Sequence, residues 1–352
     1  MRNIIHDILR IFKKNMNVLE KLLPIIPFII PFLILYSLYP DSYEATWKGR
    51  TYYLFFLWVV LLEIILNWED LQTRKISDMK LARKIVLIIS LLIPTVYVIV
   101  ANFYRFNYVI ENLAEQHNIP WASWMPLSTE YLVFAVFFAL IILLEYGISG
   151  LKDFSISSVF LGIIGVIYTT DNLYPYGRLT PLQIFVPATA TLAANVLNLI
   201  GYETGMSFIS SNPTYGSIPY LGVKDSQGKF AGFGIAWPCA GVESLLIYTL
   251  TILLFLKKTG IPWKHRIVYF VIGAVVTYFI NVLRVATIFV IAINHGHYEA
   301  LRFHDYYGQL YSITWIISFP LIIIGSRALW RKIRNWKTGI KDGSGLFKTI
   351  PK

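Results

Sequence analysis

Three side chains in the C-terminal half of the sequence could together catalyse acyl transfer, those of Cys239, Arg284 and His304. A cysteine thiolate is a strong nucleophile, and a histidine can exchange protons near neutral pH. An arginine can stabilise the oxyanion that forms when a nucleophile attacks a carbonyl group. Catalysis through a thioester therefore needs elements that bring these residues together, although up to 65 positions separate them.

The composition indicates that these elements lie in a membrane. Of the 352 residues, 56% are hydrophobic and 14% are charged, whereas a soluble domain has about a quarter charged residues. Because Cys239 is the only cysteine, no disulfide can form within the chain. The net charge of +11 does not indicate nucleic-acid binding, since the basic residues cluster between and beyond the apolar runs, as in a topology signal.

Nine apolar runs are candidate membrane helices, because a lipid-exposed span must satisfy its own backbone hydrogen bonds. They cover residues 22–40, 51–68, 85–103, 130–146, 154–169, 182–202, 240–256, 267–294 and 304–325. The sequence therefore predicts an all-α, polytopic transmembrane helical bundle. Its predicted regions are an amphipathic basic cytoplasmic helix (1–21), a five-span region (22–169), a catalytic transmembrane region (170–325) and a basic cytoplasmic tail (326–352).

The distribution of basic residues predicts that both termini are cytoplasmic. Four segments and Lys152 together hold 23 of the 31 lysines and arginines; the segments are 1–21, 69–84, 257–266 and 327–352. Two cytoplasmic termini require an even number of spans. We therefore interpret 182–202, the most polar run, as a re-entrant or interfacial helix, which leaves eight spans and an irregular or hairpin-like outer lid loop at 203–236. A wrongly assigned pair elsewhere would restore the parity equally well.

Spacing along the helices places the three reactive residues at a similar depth. Cys239 and Arg284 each lie 18 residues from a basic residue, Lys257 and Arg266, which is about 27 Å of α-helix. His304 opens the next apolar run. Because a bilayer core is about 30 Å thick, we expect all three side chains near the outer face. A lone cysteine or histidine is usually a packing or interfacial residue, but an arginine inside an apolar span indicates a functional site.

Five further residues are candidates for supporting roles, namely Pro238, Gly241, Glu243, Asn281 and Gly308. Pro238 is typical of the first turn of a helix. Glu243 is predicted to pair with Arg284 and hold it in place. Asn281 shares a helix face with Arg284, and Gly308 would allow two helices to approach closely.

A second cluster raises the alternative of a metal site. The segment "NHGHYEALRFHDYYG" carries His295, His297, His304 and Asp305, and histidines beside carboxylates can bind zinc. However, His295 and His297 are two residues apart, which does not suit one helix face, and no complete ligand pattern is present. We therefore predict no metal and no cofactor, and interpret the segment as an outer loop.

At these residues the sequence resembles the exosortase/archaeosortase family of membrane cysteine transpeptidases. The family pattern is Cys-Ser/Ala/Thr-Gly, then Asn-x-x-Arg in the following helix, then His or Arg at the start of the next. Here these motifs read "PCAGVESLL", "NVLRV" and "HDYYG", within about residues 182–325. The resemblance implies that Cys239 is the nucleophile, Arg284 the conserved arginine and His304 the third member. A histidine at the third position is similar to bacterial members of the family. The motif "PCAGVESLL" and the lysine-rich tail are similar to those of archaeal, thaumarchaeal-type archaeosortases.

The resemblance implies a substrate class as well as an activity. Family substrates are exported proteins with a C-terminal signal made of a short motif, an apolar helix and a basic tail, and the cleaved protein passes to an acceptor, a lipid in the archaeal case. We expect a multi-pass protein of the cell membrane with its site on the extracytoplasmic side. The alternatives are an intramembrane cysteine protease without transfer and a non-enzymatic transporter or scaffold, although the repeat symmetry expected of a transporter is not evident.

Overall fold

The computed structural model describes residues 21–45, 48–68, 71, 81–174, 184–210, 217–257 and 259–343. The predicted N-terminal helix at 1–21 lies outside these residues apart from Lys21, and so does the end of the predicted tail, 344–352. The chain divides into two compact units, one comprising 1–183 with 210–218 and the other comprising 184–209 with 219–352.

Six α-helices form the described part of the first unit. They are α1 (Ile26–Leu38), α2 (Thr51–Leu66), α3 (Leu81–Phe103), α4 (Phe106–Gln116), α5 (Met125–Asp153) and α6 (Ser155–Leu173). Helix α5 packs along α6 and also contacts α3 and α4. Aromatic rings fill the core, where Phe28 meets Phe56 and Phe134 edge to face at 5.4 and 5.6 Å. Gly147 has φ 73° and kinks α5.

Two buried ion pairs fasten the segment before α2 to the longer helices. Lys48 pairs with Asp171 of α6 at 2.9 Å, and the guanidinium of Arg50 donates to both carboxylate oxygens of Glu130 in α5, each at 2.9 Å. Burial lowers the pKa of Lys48 to about 8, although Asp171 favours the charged form. Buried charges are costly unless they are paired, so these contacts fix the loop.

The second unit is organised around one long helix. Its elements are α7 (Phe185–Leu199), β1 (Glu203–Ser210), β2 (Ser217–Lys224), β3 (Phe230–Gly234), a 3₁₀ turn (Trp237–Ala240), α8 (Val242–Lys257), α9 (Trp263–His295), α10 (His297–Arg302), a π-helical turn (Phe303–Tyr307) and α11 (Gly308–Gly343). Helix α9 contacts α7, α8, α11 and β3. The core at the Lys257 end of α8 joins Tyr248, Ile252, Phe319 and Ile323.

All nine predicted apolar runs contain a helix, which confirms the predominantly helical architecture. Among the described residues, five helical segments are long and apolar enough to cross a membrane, and α1, α2 and α7 are shorter apolar helices. Helix α7 has 15 residues, or about 22 Å, but α1 and α8 are similarly short. Length therefore does not single out α7 as the segment that fails to cross, and the eight-span count stays a prediction. The amphipathic helix α4 was not predicted, because it is not an apolar run.

The predicted outer loop at 203–236 contains a three-stranded sheet with the order β1-β2-β3, so this part of the chain departs from the all-α prediction. Strands β2 and β3 are antiparallel, with Tyr220 opposite Gly234 and Lys224 opposite Phe230, as the hairpin-like interpretation predicted. The Asp225 carboxylate stabilises the hairpin turn by accepting hydrogen bonds from the backbone N–H groups of Gln227 and Lys229. Strand β3 ends five residues before Cys239, so the sheet leads directly into the candidate site.

Candidate active site

Cys239 lies in the 3₁₀ turn between the sheet and α8. Its backbone N–H donates to the carbonyl oxygen of Ala236 at 3.0 Å. Gly241 follows in the left-handed conformation, with φ +92°, which ends the turn and favours glycine. The α-helix therefore begins at Val242 and not at the predicted first turn beside Pro238. Cys239 therefore precedes α8 and is not part of it.

The structure brings His304 to the cysteine. The Cys239 Sγ and His304 Nε2 atoms are 3.5 Å apart, a distance that permits a hydrogen bond to sulfur. His304 lies in the π-helical turn Phe303–Tyr307, just before α11, whereas the sequence predicted that it would open the last helix. Such turns often occur at functional sites because the extra residue redirects side chains. Both side chains are half-buried, so the pair remains open to a substrate.

Arg284 is buried in α9 with 4% of its surface exposed. Its guanidinium lies against the backbone of Gly308, where a Cβ atom would be only 2.6 Å from the arginine Nε. Gly308 is one helical turn beyond His304, so the guanidinium that α9 supplies lies against the turn that follows the imidazole. A buried cation close to the turn that carries the imidazole can stabilise an oxyanion formed there.

Asn281 connects α9 to the 3₁₀ turn Trp237–Ala240, which we call the cysteine turn. Its side chain is fully buried, and its Nδ2 donates to the carbonyl oxygen of Cys239 at 2.9 Å. A Cβ atom on Gly241 would lie 3.0 Å from the Asn281 amide, so the glycine also provides room for this contact. Asn281 and Arg284 are three residues apart, and α9 therefore presents both at the site.

Two residues of this site were not predicted. The Thr189 hydroxyl of α7 donates to the Ala240 carbonyl oxygen at 3.1 Å and lies 2.8 Å from the Tyr278 hydroxyl of α9. Thr189 belongs to the run whose polar residues distinguished it from the other runs. The polarity of this run is the signal in the sequence that could have indicated Thr189, but it supports an interfacial helix equally well.

The remaining predicted residues lie nearby. Glu243 is half-buried in the first turn of α8, and its pairing with Arg284 stays a prediction. Pro238 occupies the start of the 3₁₀ turn. The histidine segment splits between elements, since His295 ends α9 and His297 stacks on Phe233 with the ring centroids 4.6 Å apart. In the described part of the chain, no group of three or more His, Cys, Asp or Glu side chains could hold a metal ion.

Comparison with known families shows to which family the chain belongs. The family model of the transmembrane exosortases matches residues 47–323, which is most of the chain and includes every predicted site residue. The protein therefore belongs to the transmembrane exosortase family, whose members are membrane-embedded cysteine transpeptidases acting on proteins with sorting signals. No curated protein and no solved structure matches the chain. The archaeosortase subtype stays a prediction.

Proposed function

We propose that this protein cleaves the C-terminal sorting signal of exported proteins through a thioester on Cys239 and transfers them to an acceptor. The observation that carries the proposal is the 3.5 Å approach of Cys239 Sγ to His304 Nε2 in a chain of the exosortase family. A cysteine and a histidine in contact form the minimal pair for nucleophilic acyl transfer. The buried Arg284 guanidinium beside Gly308 adds a cation for the oxyanion.

In the first half-reaction, His304 accepts the thiol proton while the Cys239 sulfur attacks the carbonyl carbon of the scissile peptide bond. A C–S bond forms, and the carbonyl electrons move to the oxygen, whose negative charge Arg284 stabilises. When the tetrahedral intermediate collapses, the C–N bond breaks and the protonated His304 donates its proton to the departing amine. The product is a thioester between the substrate and Cys239.

In the second half-reaction, His304 removes a proton from an acceptor hydroxyl or amine, which attacks the thioester carbonyl. The C–S bond breaks, and the thiolate recovers the proton from His304. Water in place of the acceptor would give simple hydrolysis, so transfer requires that water is excluded. The sheet supports this requirement, since β3 adjoins the cysteine turn and its Phe233 packs edge to face on Phe289 of α9 at 5.2 Å.

The proposed substrate spans the membrane with its short motif at the outer end of an apolar helix and its basic tail in the cytoplasm. The proposed acceptor is a membrane lipid on the extracytoplasmic face. The notional exchange of roles between Arg284 and His304 is limited to charge: protonated His304 can share the oxyanion with Arg284, because either carries a positive charge, whereas the proton itself moves through His304. The Cys239–His304 contact favours an enzyme over a transporter or scaffold, which would not require a thiol–imidazole pair.

The test is co-expression in membranes of this protein with a substrate that carries a C-terminal signal. The wild-type protein should shorten the substrate and add the mass of a lipid, whereas Cys239→Ala should abolish both changes. Processing that continues unimpaired in the Cys239→Ala variant would refute the assignment of the nucleophile. A shortened product without added mass would replace transfer by proteolysis, with the same catalytic residues.

A further inference from the structure

The cysteine turn ends in a way that leaves its carbonyl groups in need of donors. Because Gly241 is left-handed, the 3₁₀ turn stops at Ala240 and does not run on into α8. The last carbonyl groups of a helical turn lack partners within the turn and must bond elsewhere. Ala240 is fully buried, so water is not a ready substitute at this position.

Side chains from two other helices meet this need. Asn281 of α9 donates to the Cys239 carbonyl at 2.9 Å, and Thr189 of α7 donates to the Ala240 carbonyl at 3.1 Å. Both donors are fully buried. Two successive peptide groups are therefore fixed from different directions, one of them the peptide group that carries the carbonyl of Cys239 itself.

Tyr278 of α9 contacts the threonine that reaches the turn. The Thr189 hydroxyl has one proton and lies within reach of two carbonyl oxygens, that of Ala240 and that of Phe185 at 2.9 Å. Phe185 is four residues earlier in α7, where the helix's own backbone bonds can serve its carbonyl. A hydrogen bond from the Tyr278 hydroxyl, 2.8 Å away, would occupy an acceptor site on Thr189 and leave the threonine proton for a carbonyl oxygen. The same Tyr278 hydroxyl lies 3.4 Å from the Phe185 carbonyl oxygen, where it competes with Thr189, so both contacts of Tyr278 favour the Ala240 carbonyl as the acceptor for Thr189.

The donors on α9 follow a regular spacing. Tyr278, Asn281 and Arg284 are three residues apart in turn and so project from neighbouring positions of one helix face. The first engages Thr189, the second engages Cys239, and the third lies against Gly308. This face of α9 thus supplies both the proposed oxyanion cation and the support for the cysteine turn.

We propose that Thr189 and Asn281 are positioning residues, which fix the cysteine turn so that the thiol stays at His304, and that Tyr278 orients Thr189. This inference rests on the proposed function, since positioning matters only if Cys239 reacts. The proposal gives α7 a role in positioning the cysteine turn, which its hydropathy does not indicate. A shift of about 1 Å in a reacting group can cost about 100-fold in rate, so loss of either donor should slow the reaction without removing a catalytic group.

The lone cysteine makes a direct test possible, because any thiol alkylation of the purified protein occurs at Cys239. We would compare Thr189→Val, which removes the hydroxyl and keeps the shape, with Thr189→Ser, which keeps the hydroxyl. Thr191→Val is the matched control on the same helix, where the hydroxyl is exposed and bonds only within α7, to the Pro187 carbonyl. The readouts are substrate processing, the rate of alkylation by iodoacetamide across pH 6–9, and thermal unfolding in detergent.

Thr189→Val should process substrate about 10- to 100-fold more slowly and show an altered pH profile of alkylation. Thr189→Ser should recover most of the processing rate and of the wild-type alkylation profile. Thr191→Val should match the wild type in both measurements. Should Thr189→Val fail to fold, Tyr278→Phe supplies the same comparison with a smaller perturbation. The proposal is overturned if processing falls only in proportion to folded protein while the alkylation profile is unchanged. Alkylation needs no substrate, so this result is distinguishable from a failure of the proposed function, which Cys239→Ala reports.

Discussion

At the scale of single residues, the site depends on two glycines as much as on its reactive side chains. Gly241 permits the left-handed backbone that separates the cysteine turn from α8, and Gly308 leaves the space that the Arg284 guanidinium occupies. A glycine that makes room for a functional side chain has no chemistry of its own. Its importance can nevertheless be tested, because a single methyl group should displace the cation.

We predict that Gly308→Ala reduces substrate processing by about 10- to 100-fold while the protein still folds. The added Cβ would lie 2.6 Å from Arg284 Nε and 3.2 Å from Cζ, so the guanidinium must move away from the site. The matched control is Gly325→Ala on the same helix, where a Cβ meets no atom within 4 Å. Processing per folded molecule measures the effect, and equal activity of the two variants would contradict the assigned role of Arg284.

At the scale of elements, α9 holds the second unit together through close packing far from the chemistry. Gly273 lies where α9 meets Tyr248 of α8 and Phe319 of α11. The Tyr248 hydroxyl donates to the backbone carbonyl of Phe270 at 2.9 Å, which restricts its movement. Small residues at such crossings allow membrane helices to approach closely.

We predict that Gly273→Ala destabilises the second unit by about 1–3 kcal/mol, because the methyl group would overlap the Tyr248 ring and the Phe319 ring. In a helix interior, replacing glycine by alanine normally stabilises by about 1 kcal/mol, and Gly162→Ala in the open part of α6 should show that gain. Unfolding in mixed detergent micelles measures both changes. A Gly273→Ala protein as stable as the wild type would show that the three helices are not packed as described.

At the scale of the whole molecule, some basic residues indicate the topology and others form buried ion pairs, and the sequence does not separate these two groups. Lys48 and Arg50 lie outside the four basic segments that predict the cytoplasmic side, and both are buried in ion pairs with Asp171 and Glu130. Basic residues that are buried in ion pairs do not indicate on which side of the membrane their segment lies. The basic segments that define the cytoplasmic side are unaffected, so the predicted orientation stands as a prediction.

We predict that a membrane-impermeant maleimide labels Cys239 in intact cells from the outside. The cysteine is half-exposed and unique, so no background cysteine within the chain contributes to the signal. As a control, a Cys239→Ala protein that also carries Lys257→Cys should be labelled only after the membrane is permeabilised. Labelling of the second protein but not the first in intact cells would reverse the proposed topology and place the reaction in the cytoplasm.

The sequence by itself determined the helical architecture and the candidate residues. A backbone in lipid must satisfy its own hydrogen bonds, so each long apolar run had to form a helix. The cost of an arginine inside such a run indicates a functional role for Arg284, and the order of the three motifs indicates the family. These features depend on residue type and local spacing, which a sequence contains in full.

Only the tertiary structure decided how the site is assembled. The Cys239–His304 contact joins residues 65 positions apart, and the donors Thr189 and Asn281 reach the cysteine turn from helices on either side of it in the chain. The left-handed backbone at Gly241 ends the cysteine turn and leaves carbonyl groups that these donors satisfy. Hydropathy does not indicate this backbone conformation. The sequence predicts at most a hairpin in this loop, whereas the pairing of three strands depends on partners that the packing of the chain selects.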